Sequence, residues 1–260
     1  MATVIHEKPV HRSQDTSKKK CGIVVRALHK SASMFLYRFF EKVAADADLP
    51  YYSVNHVESD EHQVVPEIDH SFCVCPVREF NADRFSEFQN LDQVTQICQV
   101  RDPRDMIVSE YFSFGWIHPD QNWSEEDKSW RLEVRKMSVD EYVINQPQFS
   151  SNPLEAKFQT LLDDQFASSE LLVVKYETMV TQFSAWVGQV LPPFGFRWPR
   201  LQRARYAWQY RKEFDTSGEQ MTHKRRITPG DYLEKLKPET IEILNQRYRS
   251  ILDRFGYLNS

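Results

Sequence analysis

No stretch of this 260-residue chain is long and apolar enough to read as a membrane-spanning helix. Residues 1–20, MATVIHEKPVHRSQDTSKKK, hold no continuous apolar core of the secretory type; they read as a loose polar tail, with Lys18–Lys20 as a solvated charge run. Positive charge is not in surplus either. Lys+Arg number 33 against 37 Asp+Glu, which argues against a globally basic nucleic-acid binder, so any anion site must be local. Cysteine is scarce, at four residues. Cys73, Cys75 and Cys98 fall in apparent strands, and the spacings match no zinc pattern. They read as buried free thiols of a reducing compartment, so a cytoplasmic protein is expected, with no metal, no nucleic acid and no membrane among its partners. No internal repeat is visible.

What is present centres on Cys21–Glu41, CGIVVRALHKSASMFLYRFFE. Gly22–Leu28 is a short apolar run rich in Val, Ile and Leu and predicts a buried strand. In Ser33–Ala45, Phe35, Phe39 and Val43 recur at helical spacing, with Ser33 as the expected cap. A tight strand-to-helix turn aims backbone N–H groups and the positive end of a helix dipole at one place. Lys30 in that turn makes an anion site, for a phosphate or sulfate ester. A Walker A loop is excluded: Val24 stands at the first glycine position and His29 precedes the lysine.

Further strands are predicted at Tyr51–His56, Ser71–Pro76, Thr95–Val100 and Leu171–Tyr176, with a helix at Asp83–Phe88. Strands alternating with helical segments imply parallel βαβ units in a single α/β domain, residues 21–260, a central parallel sheet flanked by helices. Ligands on such sheets lie beyond the carboxyl ends of the strands. Residues 113–150, rich in Trp and charge, read as a flap over the site or an irregular helical insert. From Pro238 to Tyr257 the apolar residues mark one helix face, stopped by Gly256.

Thr95–Val100 runs directly into RDPRDMIVSEYF. Asp102 then Pro103 is a strong helix start, and Asp105 adds an acid in the first turn. Capping explains Asp102 and Pro103 but not an arginine, Arg101, at the strand tip. Lys30-Ser31-Ala32-Ser33 and RDPRDMIVS, from Arg101 to Ser109, together resemble the sulfotransferases that use phosphoadenosine phosphosulfate (PAPS). Val174-Lys175-Tyr176-Glu177 is similar to the family's tyrosine-acid segment. Arg225-Arg226-Ile227-Thr228-Pro229-Gly230-Asp231-Tyr232 is similar to its C-terminal Arg-Lys-Gly…Gly-Asp-Trp loop. The four motifs span about Gly22 to Tyr257 in the family's order.

The resemblance implies a P-loop-nucleotide-hydrolase-like sulfotransferase fold with PAPS as sulfuryl donor and a small-molecule hydroxyl or amine as acceptor. It implies that Lys30 and the backbone of Ser31, Ala32, Ser33 and Met34 bind the 5′-phosphosulfate, with Ser33 donating its hydroxyl. Arg101 and Ser109, helped by Arg225 and Arg226, hold the 3′-phosphate, and Phe35 and Tyr176 pack around adenine. Thr216-Ser217…Met221 loosely resembles a further nucleotide-contacting segment. Three departures stand out: Ala32 replaces a loop glycine, Met34 a threonine, and Ile227 the glycine after Arg226. The histidine base that many relatives carry after the third strand is missing; CPVREFN has Arg78 in that region. His118 is the leading replacement, ahead of His29 and His56, with Glu79 or Glu110 as further candidates. Two other function classes remain open at this level: a nucleotide-binding module of the same fold without catalysis, and a small-molecule kinase.

Overall fold

The computed structural model describes residues 21–28, 30–53, 71–77, 93–117, 123–149, 153–162, 170–214 and 227–258. Five strands, β1 (Cys21–Ala27), β2 (Tyr51–Ser53), β3 (Phe72–Val77), β4 (Gln93–Val100) and β5 (Glu170–Lys175), form one sheet in the order β2-β3-β1-β4-β5, every pair parallel. The helices are α1 (Ser33–Asp46), α2 (Pro103–Phe112), α3 (Glu125–Lys136), α4 (Val139–Phe149), α5 (Leu154–Leu162), α6 (Tyr176–Thr181), α7 (Phe183–Val190), α8 (Pro199–Gln209), α9 (Asp231–Lys235), α10 (Pro238–Arg247) and α11 (Arg249–Arg254). The expected α/β domain, a parallel sheet flanked by helices, is the one observed.

A parallel sheet must be covered on both faces, and its strands therefore read as near-continuous apolar runs. Alternation within them decides the layer. Ile23, Val25, Ala27 and Ile97 join one core with Phe35, Phe39 and Phe40 of α1, Trp186 of α7 and Tyr206 of α8. Leu28, Cys98 and Val100 join the other with Met106 and Ile107 of α2, Val134 of α3, Tyr142 of α4 and Tyr248. Phe39, fully buried, centres the first core: the rings of Phe35, Phe40, Trp186, Tyr206 and Tyr210 lie 5.1–5.7 Å from its own. Cys73 and Cys98 are buried free thiols, as expected. Burial pushes Cys98 up to about 11 despite the opposing charge of Arg26.

Local differences from the sequence reading have physical causes. Tyr176 does not close β5 but opens α6. The stripe from Pro238 breaks at Tyr248, whose ring is fully buried, into α10 and α11. Residues 113–117 and 123–149, within the stretch read as a flap or a helical insert, hold a π-helical turn (Ser113–Ile117), α3 and α4, with Val134, Tyr142 and Val143 in the second core. The expected helix at 83–88 lies outside the described residues.

The chain lays β2 and β3 to one side of β1 and then β4 and β5 to the other, so the crevice of the sheet opens at the carboxyl ends of β1 and β4. Register aligns those ends: Ala27 pairs with Gln99, and Val100 with Lys175. The residues that follow, Lys30, Arg101 and Tyr176, thus leave the sheet at one level.

Candidate functional site

The turn after β1 is held in an unusual shape. Lys30 and Ala32 both have positive φ, 64° and 69°, a left-handed conformation that L-residues other than Gly, Asn and Asp rarely adopt. Ala32, not Ser33, is the N-cap of α1; it bonds through no side chain, and Ser33 is already the first helical residue. Ser31, fully buried, donates both its N–H and its hydroxyl to the Leu28 carbonyl. Its donors therefore shape the turn. From β4, the buried amide of Gln99 donates to the Ser31 carbonyl at 2.6 Å. The Phe35 and Leu36 N–H groups bond the Ala32 carbonyl at 2.9 and 3.1 Å, and the positive end of the α1 dipole lies at this turn.

Arg101 reaches the same turn from the neighbouring strand. It is 4% exposed, donates through Nη1 to the Lys30 carbonyl at 3.0 Å, and lies 4.3 Å above the Tyr176 ring. Its Nη2 stands 3.9 Å from Asp105, while its buried Nε has no hydrogen-bond partner among the described residues. A buried guanidinium with a spare donor is a place for an anion to bind. The Lys30 ammonium crosses to the end of α2, donating to Ser113 Oγ at 2.6 Å. Ser109 lies one turn earlier on the same helix, partly exposed.

Three carboxylates brace this edge. Asp102 caps α2 by accepting from the Arg104 N–H at 2.9 Å, as the sequence predicts, and also binds the Arg104 guanidinium. Arg104 goes on to donate to Asn245 and to the Tyr257 carbonyl. Glu177 accepts from the Asp102 N–H at 3.0 Å and the Tyr257 hydroxyl at 2.8 Å. Asp105 accepts from the N–H groups of Gly230 and Tyr232, at 2.8 and 3.1 Å, and so ties α2 to the start of α9. Burial raises both the Asp105 and Glu177 carboxyls, against the lowering pull of their N–H donors and of Arg101. A cavity of about 300 Å³ lies among these carboxylates, Gly230, Tyr232 and Tyr257; Lys30 does not line it.

The sequence-predicted residues divide plainly. Lys30, Ser31, Ala32, Arg101 and Tyr176 come together around one turn. Phe35 sits next to it, but its ring is enclosed by Phe39, Phe183, Trp186, Tyr210 and Phe214. Met34 is exposed. Glu110 is engaged in structure, accepting from Tyr142 and Gln146. His29, His56, Glu79, His118, Thr216, Met221, Arg225 and Arg226 lie outside the described residues. Sequence reasoning missed Ser113, Gln99 and the reach of Asp105. Ser113 alone left a signal, four residues beyond Ser109 on the same helical row. Among the described residues no group of His, Cys, Asp and Glu is arranged to hold a metal, and no helix is long and apolar enough to cross a membrane.

No family model and no curated protein matches the chain. Solved structures do. Mouse sulfotransferase SULT7A1 complexed with PAP superposes with a TM-score of 0.53 at 15% identity, over 89% of this chain and 83% of that one. The fold is that of the sulfotransferases. Retinol dehydratase, solved with androsterone and the inactive cofactor PAP, superposes with a TM-score of 0.57 at 10% identity, over 89% of this chain and 80% of its own. At such identities the sulfotransferase fold is shared while the site residues have to be argued one by one.

Proposed function

We propose that the protein transfers a sulfuryl group from PAPS to a hydroxyl or amine of a small-molecule acceptor. The observation that carries this reading is the joining of two cations at one turn: Arg101, buried and with a spare donor, bonds the carbonyl of Lys30 at the N-terminus of α1. Similarity to two PAP-bound structures supports the nucleotide class. In this reading the N-terminus of α1 and Lys30 take the 5′-phosphosulfate. Arg101 and Ser109 take the 3′-phosphate, joined by Arg225 and Arg226. Tyr176 forms one wall of the adenine slot, and Phe35 supports it from the core.

The chemistry asked of the chain is positioning and charge stabilisation. The acceptor oxygen or nitrogen forms a bond to sulfur as the sulfur–oxygen bond to the 5′-phosphate breaks, and Lys30 stabilises the charge left on that phosphate oxygen. A hydroxyl acceptor gives its proton to a base, for which His118 is the candidate; a free amine attacks without that help. Phe112, Phe114 and Trp116 flank Ser113 in sequence, the residue that holds Lys30. They form aromatic contacts with Tyr111 and Trp123, an apolar wall for a small acceptor. The test is a screen of phenols, alcohols and amines with labelled PAPS. Wild-type protein transfers label to at least one class, and Lys30→Ala lowers turnover on the order of a hundredfold to a thousandfold. Unchanged turnover in that variant contradicts the role of Lys30.

A further inference from the structure

On the outer side of the first core, α8 shows a surface that the reaction does not use. The segment GFRWPRLQRARYAWQYRK (Gly195–Lys212) carries Arg197, Arg200, Arg203, Arg205, Arg211 and Lys212 and no acidic residue, in a chain of net charge −4. Of these cations only Arg205 pairs with a carboxylate among the described residues, Asp46 at 3.3 Å. The helix is anchored through Tyr206, fully buried, whose hydroxyl donates to Asp46 at 2.7 Å. Leu201 and Trp208, seven residues apart, fall on the opposite side, and Trp198 stands at the N-cap. Trp198, Leu201 and Trp208 are 60%, 67% and 67% exposed. A guanidinium lies over each indole, Arg197 at 5.3 Å from Trp198 and Arg211 at 4.3 Å from Trp208.

From this we infer that the α8 face docks on an anionic phospholipid membrane surface. The helix sets two indoles about ten residues apart, with a leucine between them and, around them, guanidiniums of Arg197, Arg200 and Arg211 that meet no carboxylate among the described residues. Indoles partition to the headgroup level of a bilayer, and guanidiniums there meet lipid phosphates and carboxylates. Such docking lays a helix on the membrane and needs no spanning segment, and it departs from the sequence reading, which expects no membrane among the partners. It also does not rest on the sulfotransferase reading.

The test is co-sedimentation of the full chain with phosphatidylcholine vesicles containing about a third phosphatidylserine, beside pure phosphatidylcholine vesicles. The expected result is binding to the anionic vesicles alone, weakening as salt rises. Charge reversal of exposed residues, Arg200→Glu and Arg211→Glu, weakens it at least fivefold per site. Trp208→Ser weakens it while leaving phosphoadenosine phosphate affinity unchanged. Three results overturn the inference: equal binding to neutral vesicles, no binding to either, or equal affinity for a single-stranded RNA homopolymer. A dimer that Trp208→Ser splits into monomers, and that ignores vesicles, assigns the face to a second copy and overturns it as well.

Discussion

Lys30 and Ala32 show how a single residue departs from what its neighbours dictate. Both occupy left-handed backbone, which glycine takes at no steric cost and other L-residues rarely adopt. An alanine there costs about 1–2 kcal/mol, which the bonds of Ser31, Gln99 and Arg101 to this turn offset. Ala32→Gly relieves that strain but frees the unfolded chain, so the variant is expected to be neutral to about 1 kcal/mol more stable in urea unfolding. A loss above that range contradicts the strain. Arg101 is the other decisive residue. Removing its charge-assisted bonds with Arg101→Ala lowers phosphoadenosine phosphate affinity about tenfold to a hundredfold, read by titration calorimetry. Unaltered affinity removes it from the 3′-phosphate site. Neither residue's environment was legible beforehand: Lys30 was picked out by its place after a strand, but its Ser113 partner lies 83 positions away.

The start of α2 was legible as an element because its signals are local. Asp102, Pro103 and the first-turn acid stand within five residues, and the cap forms as expected. Asp105 was not, since the N–H groups it binds lie 125 and 127 positions on. It serves as a strut between α2 and the loop that leads into α9. Burial raises its carboxyl above the ordinary 3.8, with Arg101 and the Gly230 and Tyr232 N–H groups opposing. A folded value above the unfolded one means that the folded state binds the proton first as pH falls. Its contribution is therefore full below about 3.8 and is lost as pH rises through the folded value. Wild-type protein should exceed Asp105→Asn in stability by more near pH 4 than near pH 7, as measured by urea unfolding at each pH. A gap that widens with pH contradicts the sign. Breaking the Arg104–Asp102 pair with Arg104→Ala leaves the buried Asp102 carboxylate without its cation, holding only the main-chain N–H of residue 104, and should cost about 3 kcal/mol. It should also loosen the C-terminal Tyr257, seen as faster amide exchange there.

At the scale of the whole molecule the sheet was the most legible feature. Five apolar runs separated by helical segments were enough for parallel βαβ order, and all five are present in that order. Which helix covers which face was not legible, because strands buried on both sides carry no outward polar stripe. The convergence of aromatic residues from α1, α7 and α8 on Phe39 follows from that covering, and Phe39→Ala should cost about 3–5 kcal/mol in urea unfolding. The site is a consequence of the same order: β1 stands between two pairs of strands that the chain lays down on opposite sides of it, and its turn meets Arg101 there. The most direct measurement is calorimetric titration with phosphoadenosine phosphate beside ATP. The expected result is tight binding of the bisphosphate and weak binding of ATP, with Arg101→Ala losing the difference. Preference for ATP, or binding of neither, contradicts it.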